Sequence, residues 1–491
     1  MTDVGAGTES IARKAGRGLR WSLLGNVVNK IISFSMGLVL ARLLAPAEFG
    51  VYAVGLAALY LAMHVNDVGL NAATVQWRGK LEEMAPTATT LAVCFSVVLY
   101  GMFWFAAPFL AHLAEASQAT GVVRLLTVVI LIDGVNTVRS GVLMRTFRQD
   151  QLITANLIGL VVNAAVAIGL AATGAGAFSF AGGQVAGAVV TGVIIFVVAG
   201  IPFRMDLDTA IARRLMRFGI PLAASLGIES VLLNADYIIV GRVLNTTQLG
   251  YYLLAFNIST WAYSMISSAV RYVSIAGFAR LSEVDAESLS AGVRRSVPLL
   301  VTGLVPIAAL TAALANPIVA VLYGGQWLPA APVLRFLMIL TVVRVLTSFG
   351  LDILMGTGAT RWTLWLNLAW AVALIPALIF GTNHDAIRGA AIAHAMVGVV
   401  VAIPLTLVAL HQVGVRLAPI APALVRPLSA ALLAAAVALG VATLIGPRDL
   451  LQLALAGGGG LLAYVASAVP LHQLREWFRV IRPEEAHAAD R

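Results

Sequence analysis

Long apolar runs alternate with short polar breaks along almost the whole of this chain. Fourteen runs reach the roughly 20 residues that a helix needs to cross the ~30 Å hydrocarbon core of a bilayer. They lie near 21–44, 50–71, 88–110, 121–144, 151–172, 177–199, 218–243, 249–272, 296–322, 331–355, 361–380, 387–410, 425–446 and 450–470. The runs are long and lack period-two alternation, so helices are predicted rather than strands. The first two carry polar faces. In 21–44, Asn26, Asn29, Lys30 and Ser33 fall on one helical face. In 50–71, Tyr60, His64, Asp67 and Asn71 follow at i, i+4, i+7 and i+11, a polar stripe on an apolar helix. Between them Arg42-Leu-Leu-Ala-Pro46-Ala-Glu-Phe-Gly50 makes a tight turn, with Pro46 and Gly50 breaking both helices.

The same hairpin recurs 200 positions on. Arg42, Leu44, Gly50 and Tyr52 fall on Arg242, Leu244, Gly250 and Tyr252, and the stripe falls on Thr260, Ser264, Ser267 and Arg271. Every stripe position stays polar, which chance matching of Leu on Leu does not produce. A second register, shifted by 211, sets Arg124 on Arg335, Asn156 on Asn367 and Asp133 on Arg344. Six helices separate the copies, so both run in the same sense, as in a parallel repeat about an axis along the membrane normal. The expected architecture is an all-α integral membrane protein of about fourteen helices. It has an N-terminal lobe at 1–217, a C-terminal lobe at 218–415, and two extra helices with a short tail at 416–491. Paired polar stripes inside a membrane imply a shared wet cavity.

Composition agrees: 491 residues are 60% hydrophobic and 11% charged, against about 25% charged in a soluble domain. The net charge of +9 does not mark a nucleic-acid binder, because the basic residues sit in short loops between apolar spans. They are also asymmetric. With the N-terminus inside, 22 Lys and Arg fall on the inner side and 6 on the outer side, which places both termini in the cytoplasm. The single cysteine, Cys94, lies within an apolar span and excludes a disulfide framework or thiolate metal cluster. The basic run Arg13, Lys14, Arg17, Arg20 precedes a span too long for a signal peptide, so an uncleaved first helix is expected.

No loop is large enough to form a catalytic domain, and no H-E-x-x-H, G-x-S-x-G or P-loop is present. Asp206-Leu-Asp208 has the D-x-D form of nucleotide-sugar transferases but lacks a domain to hold the nucleotide. The glycines at 174–187 and 457–460 lie in or beside apolar spans, where small residues serve close helix packing. No cofactor and no metal are expected.

The basic N-terminus, the Asn-rich first helix, Arg42-Leu-Leu-Ala-Pro-Ala-Glu-Phe-Gly50-Val-Tyr52 and Asp67-Val-Gly-Leu70 together resemble Wzx-type polysaccharide flippases. So do Phe218-Gly-Ile-Pro221, Asp236, Gly241 and Leu249-Gly-Tyr-Tyr252. Such flippases belong to the multidrug/oligosaccharidyl-lipid/polysaccharide exporter superfamily. The resemblance implies transfer of polyprenyl-diphosphate-linked oligosaccharide to the outer leaflet by alternating access, in a bacterial cytoplasmic membrane. It also implies a central cavity lined by the first, second, seventh and eighth helices, here the two polar-striped hairpins. A lipid II flippase and a cation-coupled drug antiporter are the nearest alternatives, and the two extra helices count against the antiporter. A membrane glycosyltransferase or ligase would need a sizeable catalytic loop. A purely structural export subunit would need no charge within the membrane.

Asn26, Asn29, Lys30, His64, Asp67, Asn71, Ser264, Ser267 and Arg271 are the candidates for the substrate cavity. Lys30 lies about 15 Å into its helix, where an unsolvated charge costs roughly 2.5–3.5 kcal/mol. It therefore faces water, a structural partner or a substrate phosphate. Arg271 either snorkels to headgroups or captures phosphate. His64 is a proton-coupling group or a hydrogen-bonded structural residue. Asp236 and Glu229 share a face with Ser225 and could bind a coupling cation, a proton or sodium. Asp133 with Lys30 and Glu229 with Arg344 are charge-complementary at similar depth, so one buried ion pair per lobe is expected, unless each charge faces the cavity. Membrane lipids and a polysaccharide polymerase or export protein are the remaining candidate partners.

Overall fold

The computed structural model describes residues 3–66, 70–77, 79–217, 219–220, 234–264, 286–357, 359–417, 420–446 and 449–468. The described residues form helices joined by short turns, with no strand among them. Hydrocarbon offers backbone groups no hydrogen-bond partner, so an apolar segment crossing it must satisfy them internally, as a helix does. Eleven segments among the described residues are long and apolar enough to cross a membrane. Their outward side chains are apolar: Phe105 is 82% exposed, Leu432 73% and Leu444 88%. Such exposure would be costly in water and is favourable against lipid. The protein is an all-α, multi-pass membrane protein.

The chain divides into two compact units, Met1–Leu253 and Leu254–Arg491. The first holds α1 (Asp3–Leu43), α2 (Pro46–Asn66), α3 (Leu70–Gln76), α4 (Leu81–Leu113), α5 (Ala119–Arg145), α6 (Gln149–Ala172), α7 (Phe178–Ala199) and α8 (Ala235–Val243). Helix α9, at 246–264, carries the boundary between the units. The second unit continues with α10 (Ala286–Ala313), α11 (Ala315–Tyr323), a 3₁₀ turn at Gly325–Ala330, α12 (Ala331–Gly356) and α13 (Thr360–Val397). A π turn at Gly398–Ala402 leads into α14 (Ile403–Gln412), followed by α15 (Ala421–Ile445) and α16 (Asp449–Ala468). Within α13 the backbone leaves helical geometry at Asp385 and Ala386. A Cβ placed on Gly389 would stand 1.9 Å from the carbonyl oxygen of Gly381, so the chain reverses there into two spans. These are the eleventh and twelfth predicted helices.

The repeat is legible in atomic detail. Leu44 N–H donates to Leu40 O at 2.9 Å, and 200 positions on Leu244 N–H donates to Val240 O at 3.0 Å. Pro46 does not separate the helices from outside; it opens α2 as its first residue, where its missing N–H costs nothing. The Glu48 carboxylate then accepts the Ala45 N–H at 2.7 Å, one half of a capping box. In the second copy Asn245 Oδ1 accepts the Gln248 N–H at 2.9 Å, the other half. The two turns also touch. A Cβ on Gly50 would fall 1.8 Å from Thr246 O, and one on Gly250 would fall 1.8 Å from Pro46 O. Each glycine thus meets the residue equivalent to the one its counterpart meets, a local two-fold relation that only glycine permits at both positions. The 211 register holds too: α5, shifted by that number, falls on 330–356, beside the observed Ala331–Gly356.

Two membrane prolines leave carbonyls without their helical N–H, and side chains from neighbouring helices replace it. Pro108 frees Trp104 O, which accepts Arg124 Nε–H at 3.2 Å. Pro306 frees Thr302 O, which accepts the Tyr464 hydroxyl at 2.7 Å. The second bond fastens α16 onto α10, where Val301, Val305, Ala430, Ala431 and Ala434 make an apolar core with Tyr464.

The Asp206-Leu-Asp208 motif is accounted for by local structure. Asp206 Oδ1 accepts the Leu207 N–H at 2.8 Å, and Asp208 Oδ1 accepts the N–H groups of Ala210 and Ile211 at 2.8 and 3.0 Å. Asp208 is the N-cap of the helix at 209–217.

Candidate functional site

Helix α2 is described as far as Asn66, and Asn71 lies on α3, against α5. Asp67, between them, lies outside the described residues, as do Ser267, Arg271 and Glu229. His64 is half-buried, and its Nδ1–H donates to Tyr60 O one turn back at 2.7 Å. Asn26 and Asn29 are exposed on α1, where Asn29 Oδ1 accepts the Ser33 hydroxyl at 3.3 Å. Lys30 is half-buried on the same helix, which packs chiefly on α6.

The first unit's buried polar node is built around Asn66, a residue off the stripe. Asn66 is 1% exposed. Its Nδ2 donates to Asp133 Oδ2 at 2.9 Å and to Ile130 O at 3.3 Å, while its Oδ1 accepts the Ser96 hydroxyl at 2.7 Å. Three helices, α2, α4 and α5, meet there. The closeness depends on Gly134, whose absent Cβ would lie 1.9 Å from Ser96 Oγ. A carboxylate about 20 Å along a membrane helix is thereby held by an amide donor rather than left bare in hydrocarbon. Asn66 and Ser96 gave little signal in the sequence: an asparagine beside Asp67 reads as a helix end, and a lone serine in an apolar run reads as a small packing residue.

Asp236 is 1% exposed and closes the second hairpin. It accepts the Tyr252 hydroxyl at 3.0 Å through Oδ2 and the Tyr237 N–H at 3.0 Å through Oδ1. This tie joins α8 to α9.

In the second unit the polar centre lies on α12. The Arg344 guanidinium stands 4.6 Å from the ring centroid of Tyr263 and 5.7 Å from that of Phe256, both on α9. The Tyr263 hydroxyl shares a 2.8 Å hydrogen bond with Ser348, one turn along α12. The His394 ring lies 6.4 Å from that of Phe256, centroid to centroid. By helical rise Arg344 is about 20 Å along α12, which is mid-membrane depth. Ser264, another cavity candidate, is half-buried and donates to Trp261 O at 2.9 Å. Sequence reasoning singled out Arg344 but had no constellation for His394; only the α13 reversal brings that histidine back toward α12. Among the described residues, no group of three or more His, Cys, Asp or Glu is placed to hold a metal ion.

Comparison with known proteins fits this picture. A family model described as polysaccharide biosynthesis protein matches residues 39–332. The chain is 27% identical over 374 residues to the succinoglycan biosynthesis transport protein ExoT of Rhizobium meliloti, covering 75% of each chain. It is 23% identical over 382 residues to the lipopolysaccharide biosynthesis protein WzxC of Escherichia coli, covering 76% of each. Among solved structures, the lipid II flippase MurJ in an inward closed conformation superposes with a TM-score of 0.76 at 11% identity, covering 94% of this chain and all of that one. An inward-facing multidrug resistance MATE transporter gives 0.62 at 17% identity, covering 78% of this chain and 94% of that one. The latter two share the fold, an all-α two-lobed membrane architecture. With 294 of its residues, 39 through 332, matched by that model, this chain belongs to the polysaccharide biosynthesis protein family.

Proposed function

We propose that this chain is a flippase that carries polyprenyl-diphosphate-linked oligosaccharide across a bacterial cytoplasmic membrane by alternating access, for cell-surface polysaccharide synthesis. The observation that supports the reading most strongly is a member of this family holding charged and amide side chains at mid-membrane depth, in α1, α5 and α12. A sugar diphosphate head cannot cross hydrocarbon alone, and polar groups at that depth replace part of its hydration. The lipid tail stays in the bilayer throughout. Both termini lie in the cytoplasm, as the distribution of Lys and Arg supports.

Lys30, Asn26, Asn29, His64, Asn71 and Ser264, with Asp67, Ser267 and Arg271, supply the cavity surface in this reading. A proton or sodium gradient drives the cycle, with Glu229 and Asp236 the candidate carriers, and a polymerase takes up the product. Lys30 and Asp133 form a buried pair unless each charge faces the cavity instead. A charge swap, Lys30→Asp with Asp133→Lys, restores function lost in each single variant; a swap no better than the worse single variant refutes the pair.

The reading is tested in cells depleted of the chain. Lipid-linked oligosaccharide should accumulate on the cytoplasmic side, out of reach of a glycosidase added from outside, and re-expression should clear it. Normal arrival of those units at the outer leaflet during depletion would refute it.

A further inference from the structure

Arg139 is a cation buried without a carboxylate. It lies six residues before the end of α5 and is 1% exposed. Among the described residues it forms no ion pair, and its hydrogen bond runs from Nη1–H to Val135 O on its own helix, at 2.8 Å. Two aromatic rings take the place of an anion. The guanidinium stands 4.2 Å from the ring centroid of Phe196 on α7 and 5.4 Å from that of Phe203, and the two rings lie 6.2 Å apart. Cation–π attraction is strongest where water is excluded, as it is here. Phe203 belongs to no helix. It sits in the irregular segment 201–208, which follows the left-handed turn at Gly200 and leads into the helix at 209–217. This stretch connects the two copies of the repeat. It is tied to the first unit at further points. Thr90 Oγ1–H donates to Asp206 O at 2.9 Å, and the Asp208 N–H donates to Thr87 Oγ1 at 3.1 Å, both threonines lying on α4. The Arg214 guanidinium stands 4.6 Å from the ring centroid of Trp77. Leu215 joins Leu70, Met84, Ala85 and Ala88 in an apolar core. The repeat marks Arg139 as particular to the first copy: 211 positions on stands Gly350, where a Cβ would press on Thr406 of α14.

We infer that Arg139 is a positioning residue: it clasps Phe203 from within the bundle and so fixes residues 200–217 onto the first unit throughout the transport cycle. Its role in transport rests on the flippase reading; its hold on the segment does not. Alternating access shifts one copy of the repeat against the other, and the chain between them takes up that movement. A clasped strap takes up none of it over residues 200–217. A guanidinium suits this task, because it stays charged when buried and its flat faces accept aromatic rings. The backbone bonds to Thr87 and Thr90 then hold the strap across α4.

Thr87, which accepts the Asp208 N–H, is 1% exposed and reports whether the strap stays down. The test uses the full chain in proteoliposomes, carrying Cys94→Ala and Thr87→Cys, with a charged maleimide on both sides of the membrane. Met205→Cys, at a strap residue that is 51% exposed, gives the rate of an open site. T87C should react at least about tenfold more slowly than M205C, both at rest and while lipid-linked oligosaccharide is transported. Adding R139Q or F203A should speed T87C by about tenfold or more, as the strap opens locally. The clasp is overturned if T87C reacts as fast as M205C, or becomes reactive only during transport. It is also overturned if T87C stays slow in both R139Q and F203A, since lipid rather than the strap then covers the position. Should R139Q fail to fold, F203A, which changes a half-exposed ring, carries the test. R139Q that abolishes transport while T87C stays shielded would make Arg139 a transport residue and refute the clasp. A chain that shows the expected labelling yet does not transport keeps the clasp and loses the flippase reading.

Discussion

Asn66 shows how a membrane helix keeps a carboxylate in place. Its amide donates to Asp133 at 2.9 Å and accepts from Ser96 at 2.7 Å, so one side chain satisfies groups on two other helices. Asn66→Ala should lower stability by roughly 1–2 kcal/mol, because Asp133 and Ser96 each lose a buried partner. Asp133→Asn should cost less in that background than in the wild type, which a double-mutant cycle on thermal unfolding reads directly. Additive effects would show that the two side chains act independently. This node was only partly legible in the sequence. Asp133 stood out because a carboxylate in an apolar run needs a reason. Asn66 did not, since its role depends on which helices touch, and the 3.6-residue period of one helix says nothing about its neighbours. Arg344 and His394 illustrate the same limit: 50 positions separate them, and the reversal at Asp385 and Ala386 brings both beside Phe256.

At the scale of elements, apolar periodicity placed the helices well because hydrocarbon forbids other backbone structure. Turns were less predictable. Pro46 and Gly50 read as two breakers, yet Pro46 begins α2 and Gly50 lies within it, kept small by Thr246 O. The prolines inside helices carry a clearer consequence. Thr302 O, freed by Pro306, is met by Tyr464 from the last described stretch of chain, and this bond joins α16 to α10. Tyr464→Phe keeps the ring in its apolar core and removes only the hydroxyl. It should cost about 1 kcal/mol or more, since the carbonyl is then left unpaired in a helix interior. Pro306→Ala in the same chain should recover most of the loss by restoring the helical N–H. An unchanged unfolding midpoint in Y464F would mean that the carbonyl finds another partner.

For the whole molecule, the sequence is most informative about topology and least about where substrate sits. Reporter fusions after residues 80, 148, 214 and 295 should report the cytoplasm, and those after 46, 246 and 385 the outer side; two or more reversed signals contradict the orientation. The repeat, the helix order and the family all follow from patterns spread over hundreds of residues, and such patterns survive local noise. The cavity does not, because a few polar side chains decide it and they lie on helices distant in sequence. The central claim, that this chain moves lipid-linked oligosaccharide between leaflets, is tested most directly with purified protein. Proteoliposomes loaded with a polyprenyl-diphosphate oligosaccharide, labelled on its sugar, are treated with a membrane-impermeant glycosidase. Without protein, about half the label should be cleaved, since only one leaflet is reachable. With the chain present and its driving ion supplied, cleavage should proceed well beyond half. Cleavage that stops at the protein-free level under every ion gradient applied would contradict the account.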